Sequence, residues 1–221
     1  MGFVVQRTTK KGKKKAPAKT PKSPASQSKG GLTVLADKTL SGGHKLSVIC
    51  GDIVHVPSDA IVHPTNGGLY MGGEIGKRLV SVGGAKFKQY VNELRASITN
   101  YGPGILAQNS AVICKGSGFA SAHVIHCFGP RWDGPASIDN LRETVINCIR
   151  LAEDHKLSSL CIPSIGSGRA GFPKQLSAQI ILQTIAAHFA ANTDSSVQDI
   201  KFVLYDQESV AVFVSELNKL I

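Results

Sequence analysis

The sequence predicts a three-layer α/β domain with a mixed or largely parallel central sheet, preceded by a disordered basic segment. Three observations lead there. From Leu32 onward, short apolar runs of strand length alternate with longer runs of helical spacing. Glycine-rich stretches sit where strand-like runs give way to helix-like ones. The net charge of +10 is unevenly spread: nine Lys or Arg and no acid lie between Met1 and Gly31, leaving +1 for the remainder.

Residues 1–31 contain RTTKKGKKKAPAKTPKSPASQSKGG, with too little apolar surface to offset the entropy of ordering. The run KKGKKK offers salt-dependent contact with nucleic-acid phosphates, and KTPKSP adds phosphorylation sites that would weaken it. A solvated linker or a nuclear import signal satisfies the same residues equally well. MGFVVQR is too short and interrupted for a signal peptide, and no later run reaches the roughly 18 apolar residues of a membrane span, so no membrane partner is expected. Cys50, Cys114, Cys127, Cys148 and Cys161 are isolated, without a C-x-x-C pair. They read as reduced core thiols, and neither a metal nor a cofactor is expected.

Taken in order, LTVLA (32–36) and KLSVIC (45–50) are strands around an SGG turn, and DAIVHPT (59–65) is a third. GGLYMGGEIG (67–76) leads into KRLVSV. AKFKQYVNELRAS (85–97) is an amphipathic helix with Phe87, Val91, Leu94 and Ile98 on one face. SAVICKG (110–116) and HVIHCFG (123–129) are strands; His123 and His126 point to opposite faces of the second and form no metal pair. IDNLRETVINCIRLAEDH (138–155) is a helix with charges matched to its dipole. The strand LSSLCIP precedes the loop PSIGSGRAGFP (163–173) and the helix KQLSAQIILQTIAAHF. IKFVLYD (200–206) and SVAVFVSELNKL (209–220) are the last strand and helix.

Ligands of open α/β sheets bind beyond the strand ends, and four strand ends here carry chemistry. Asp52 suits an exocyclic amine or, as its spacing favours, a cap on the following turn. Asn66 suits ribose hydroxyls or the turn backbone. Gly166, Gly168 and Gly171 lie before a helix N-terminus and suit a phosphate or diphosphate, though the same residues make a plain turn. Tyr205 suits stacking on a base, although aromatics at strand ends are more often core. Together they point to a nucleoside diphosphate sugar. GSGRAG satisfies G-x-G-x-x-G, but only one strand follows, and Asp194, at the right distance for a ribose-binding acid, lies in the loop NTDSS. A dinucleotide-cofactor domain is thereby excluded. No P-loop motif occurs.

GDIVHVPSDAIVHPTN, a glycine loop and PSIGSGRAGFP resemble the macro domain family across residues 32–221. Within it, HPTN, YMGGEIG, GGAKFKQYVNELR, GFPKQ and FVLYDQES are similar to the branch found in macro-type histones, where a Lys-, Pro- and Ser-rich linker precedes the domain. No histone fold is present in these residues. The resemblance implies a cleft for ADP-ribose, whether free, on a modified protein or at a poly(ADP-ribose) end. It also implies a nuclear, chromatin-associated reader whose partners are ADP-ribosylated proteins, histones, and DNA or nucleosomes through the basic segment.

Residue by residue, the resemblance implies that Asp52 holds the adenine amine, Ile53 lies beside the ring, and Tyr205 stacks on it with Asp206 following. Gly72, Gly73 and Glu74 would line the distal ribose and phosphates, with Asn66 near that ribose. Ser164, Ile165, Gly166, Ser167 and Gly168 would wrap the diphosphate. Ala170 stands where similar binding domains have Asn, so a side-chain hydrogen bond is missing. Hydrolytic members resemble one another in glycines followed by a hydrophobic residue and Asp; Gly76 stands at that Asp here, and no paired-glutamate signature occurs. A binding module is therefore expected. The alternatives are a mono-ADP-ribosyl-protein hydrolase, with Glu74 as base, and a chromatin contact domain that binds no nucleotide. Asp52, the Gly72–Gly73 pair and an open Tyr205 argue against the last.

Overall fold

The computed structural model describes residues 32–99 and 102–221; the basic segment lies outside them, as do the expectations of its disorder and nucleic-acid contact. The strands are β1 (Thr33–Thr39), β2 (Lys45–Cys50), β3 (Ser58–Thr65), β4 (Ala111–Lys115), β5 (Ser121–Phe128), β6 (Ser159–Ile162) and β7 (Asp199–Leu204). The helices are α1 (Glu74–Ser97), α2 (Ser137–Asp154), α3 (Lys174–Ala191) and α4 (Gln207–Lys219). The strands form one sheet in the order β1-β2-β7-β6-β3-β5-β4. The inner strands are parallel, and β1 and β4 close the two edges antiparallel. The mixed sheet is as the sequence predicts.

Alternation along the strands divides the core in two. Leu46, Val48, Leu160, Ile162, Ile200 and Phe202 face α2, α3 and α4. Ile49, Ile61, Val124, Cys161 and Val203 face the other way, with Leu79, Phe87 and Val91 of α1. A single helix covers that second face, so the space over the ends of β2 and β7 stays open beside the α1 N-terminus. Helix α3, buried between α2 and α4, is apolar nearly all round. All five cysteines are free; Cys50 and Cys114 are half-buried and the others fully buried. Burial pushes the Cys114 thiol up to about 12 and that of Cys161 up to about 11. Among the described residues, no helix is long and apolar enough to cross a membrane.

Two boundaries differ from the sequence reading. The helix expected over 85–97 begins at Glu74, because Leu79, Gly83, Phe87 and Val91 keep one buried line through the double glycine. Gly84 alone leaves the helical path, at φ 61° and ψ −152°. Strand β1 runs on to Thr39, since antiparallel pairing with β2 continues past an irregularity between Val34 and Ala36.

His63 and His126 lie opposite each other on β3 and β5, their Nδ1 atoms 2.9 Å apart. One nitrogen must donate and the other accept, so the accepting ring is neutral in this pair. Burial pushes His63 down to about 4, and burial with the neighbouring His63 and Arg95 pushes His126 well below its ordinary value. The Nε2 of His126 meets Cys114 Sγ at 3.4 Å, while Nδ1 of His123 is buried without a partner among the described residues.

Candidate functional site

Because β2, β7, β6 and β3 are consecutive and parallel, the four strand ends singled out in the sequence share one edge of the sheet. At the β2–β7 end, Asp52, Ile53, Glu74 and Tyr205 line a cleft of about 280 Å³ together with Ile75 and Arg78. Tyr205 is 67% exposed, so it is no core residue. Ile53 is buried in the wall, and its backbone N–H meets no acceptor among the described residues.

Asp52 serves two structural partners. Its Oδ1 accepts from Val54 N at 3.3 Å, the cap that the spacing favoured. Its Oδ2 accepts from Arg78 Nε at 2.7 Å and from Nη2 at 2.6 Å. Arg78 escaped sequence reasoning. Neither its place near the start of α1 nor the tilt of that helix over the end of β2 shows in the sequence. The carboxylate remains half-exposed in the cleft wall, with a backbone donor, Ile53 N–H, beside it. A flat ring bearing an amine next to an acceptor nitrogen matches that pair.

After β3 the chain turns on Asn66, whose Oδ1 accepts from Gly68 N at 3.1 Å and Tyr70 N at 3.2 Å. This is the turn reading of Asn66. Thr65 Oγ1 donates to Tyr70 O at 2.7 Å, and Arg95 donates to the carbonyls of Gly68 at 3.1 Å and Leu69 at 3.2 Å. Gly72 is tightly covered: a Cβ there would overlap the Tyr70 hydroxyl. Gly73 is open, and the next residue, Glu74, begins α1 with no side-chain cap, leaving the first N–H groups of the helix unfilled. A Cβ on buried Gly76 would lie 2.7 Å from the Met71 carbonyl.

The loop after β6 is built differently. Gly166 (φ 86°) and Gly171 (φ 80°) take left-handed conformations, and Phe172 N donates to Gly166 O at 3.0 Å. Ile165 drops its side chain into the core, while its carbonyl accepts from Ser177 Oγ at 2.7 Å. Ser167 Oγ donates to Ser164 O at 3.1 Å, and Ser164 Oγ is buried without a partner among the described residues. The Ala170 carbonyl accepts from Trp132 N at 2.7 Å. The backbone N–H groups of Ile165, Gly166, Ser167 and Gly168 meet no acceptor among the described residues. Grouped donors of this kind make an anion-binding concavity.

Asp206 is turned to structural work. Its Oδ1 caps α4 by accepting from Ser209 N at 2.9 Å, and it also accepts from Lys174 Nζ at 2.8 Å. Burial raises its carboxyl pKa, but the Lys174 ammonium and Ser209 outweigh that and hold it down at about 2. Lys174, bonded to Asp206 and Glu208, is raised to about 12. No group of three or more metal-ligating side chains occurs among the described residues.

Fold and site together define a three-layer α/β domain whose ligand cleft lies across the carboxyl ends of parallel strands. The macro domain family profile matches residues 62–181. Over 188 residues the chain is 37% identical to histone macroH2A1.1 of Capsaspora owczarzaki, covering 85% of this chain and 50% of that protein. The chain thus spans about half the length of that relative. It is 29% identical to O-acetyl-ADP-ribose deacetylase 2 of Pantoea vagans, covering 79% of this chain and 99% of that one. Among solved structures, the Oceanobacillus iheyensis macrodomain with ADP superposes at a TM-score of 0.74 and 26% identity, covering 83% of this chain and 95% of that chain. A mutant of the same macrodomain, with ADPR, superposes equally well at 0.74. The chain belongs to the macro domain family.

Proposed function

We propose that this chain binds ADP-ribose through its macro domain, as a reader of ADP-ribosylated proteins or poly(ADP-ribose) ends in chromatin. The observation that carries the reading is the alignment, along one sheet edge, of three recognition elements. They are the Asp52–Ile53 acceptor–donor pair with Tyr205 beside it, the unfilled N-terminus of α1, and the free N–H groups of Ile165–Gly168. Adenine, ribose phosphate and diphosphate call for that sequence of features. The ADP and ADPR held by the similar macrodomain from Oceanobacillus iheyensis support it.

Binding without cleavage is supported by Gly76. The Met71 backbone packs onto it, so the position offers neither an acid nor room for one. The deacetylase relative keeps hydrolysis as the alternative, with Glu74 as the base. The nuclear, chromatin-bound setting is supported by the similarity to histone macroH2A1.1 and by the basic run KKGKKK, which would contact DNA.

Titration of the full chain with ADP-ribose, alongside Asp52→Asn and Asp52→Ala, tests the reading. Saturable binding is expected, weakened about tenfold or more in Asp52→Ala. An ADP-ribosylated peptide should keep its label; release would establish the hydrolase. Absence of binding would overturn the function.

A further inference from the structure

A second concavity runs along α1, from Lys77 to Arg95. It is a groove of about 530 Å³ between the Tyr70–Gly72 segment and one side of α1. Its floor is apolar, with Met71, Val80 and Val91, and its rim carries Lys77, Lys88 and Arg95 with no acid in the lining. Tyr70 lies along it, 53% exposed. Arg95 is already anchored to the Gly68 and Leu69 carbonyls. Lys77 faces Glu74 at 3.9 Å across two exposed side chains, and Lys88 has no ion-pair partner among the described residues.

We propose that this groove is an extension subsite that takes the next nucleotide unit of an ADP-ribose chain whose terminal unit fills the cleft. The inference rests on the ADP-ribose-binding reading. Gly72 lines the groove and Glu74, two residues on, lines the cleft, so the segment that leads into α1 borders both. A chain of such units grows through the anomeric carbon of the distal ribose, which places its exit at Gly72 and Gly73. The unit beyond is an adenosine diphosphate: a flat base and two anionic phosphates. A half-exposed tyrosine over an apolar floor accepts the base, and an acid-free lysine and arginine rim accepts the phosphates. An acidic peptide satisfies the charge but not the rest. The side of a helix has no unpaired strand edge for an extended backbone to bond.

The test compares ADP-ribose with a chemically defined two-unit oligomer on the full chain, wild type and Lys88→Glu, at two salt concentrations. The wild type is expected to bind the two-unit oligomer about tenfold more tightly than ADP-ribose, with the gain shrinking as salt rises. Lys88→Glu should keep its ADP-ribose affinity and lose most of that gain. Equal affinity for the two ligands, or a gain that Lys88→Glu retains, overturns the subsite. A gain seen only with a mono-ADP-ribosylated acidic peptide, and abolished by Lys88→Glu, assigns the groove to peptide and also overturns it. If the wild type fails to bind ADP-ribose at all, the proposed function falls and the subsite with it. Normal monomer binding without the gain removes the subsite alone.

Discussion

The two glycine-rich loops at the sheet edge look alike in sequence and are built in opposite ways. The loop after β3 is tied by side chains: Asn66, Thr65 and Arg95 bond its own backbone, so its polar groups turn inward. The loop after β6 closes through backbone bonds at Gly166 and Gly168, leaving the N–H groups of Ile165–Gly168 outward. Glycine count therefore says little about which loop can present donors to an anion. What decides is whether neighbouring side chains have already satisfied the backbone. In this molecule the first loop shapes a wall, and the second offers hydrogen bonds.

The contrast can be broken most directly at Gly166. Its φ of 86° costs a Cβ-bearing residue about 1–2 kcal/mol, and the Cβ would sit 3.0 Å from Phe172. Gly166→Val should reduce ADP-ribose affinity about tenfold or more by titration calorimetry, given that the turned N–H groups move with the backbone. Unchanged affinity would show that the second loop is only a turn.

The strand that carries the first loop can be loaded through pH. His63 is held near 4 by burial against an ordinary 6.5 and faces His126, which in turn meets Cys114 and Phe87 and feels the charge of Arg95. The unfolded chain takes up that proton first, so stability is full above pH 6.5 and falls as pH drops toward 4. Urea midpoints at pH 7 and pH 5 should differ by an amount worth about 2 kcal/mol. The His63→Leu/His126→Leu double variant should flatten the difference. A flat wild-type profile would show that the pair is not neutral in the fold.

Arg95→Ala removes the clamp on the first loop, at a cost of about 1–3 kcal/mol, read as a lower thermal midpoint. ADP-ribose affinity should change less than about threefold, because a wall has moved and not a donor. A larger loss would give the first loop the role assigned here to the second. The smallest effect is at Asn66. Asn66→Asp keeps the Oδ1 acceptor and the stability, while Asn66→Ala costs about 1 kcal/mol. Equal loss of ADP-ribose affinity in both variants would place the amide N–H on the ligand and erase the contrast.

Much of this was legible in advance where chemistry is local. Apolar runs and glycine punctuation located the strands and the two loops, and the order of elements implied the mixed sheet. The Asp52 cap followed from its spacing to the next turn. What escaped depends on tertiary placement. The clasp of Arg78 on Asp52 and of Arg95 on Gly68 joins residues 26 and 27 positions apart, through the tilt of α1. The opposition of His63 and His126 needed the β3–β5 register. Tyr205 and Asp206 were adjacent in the sequence and diverge in space: one opens to the cleft, the other caps α4. The start of α1 was hidden because Gly83 and Gly84 look like a break, whereas packing against Phe87 carries the helix through them.

The pairing of β2 with β7 has a consequence for how the chain is made. His44 bonds Val197 across 153 positions, and the strand pairing beside it joins Lys45 to Asp199. Until β7 emerges from the ribosome, β2 has no inner neighbour, and only the hairpin with β1 shields it. Contacts this distant in sequence close slowly, because a long loop must be ordered before any of them forms. Asp52 and Tyr205 stand at the ends of those two strands, so that wall of the cleft is the last part of it to exist during synthesis. A nascent chain in that interval exposes the edge of β2, an unpaired strand edge of the kind that makes folding intermediates prone to aggregate.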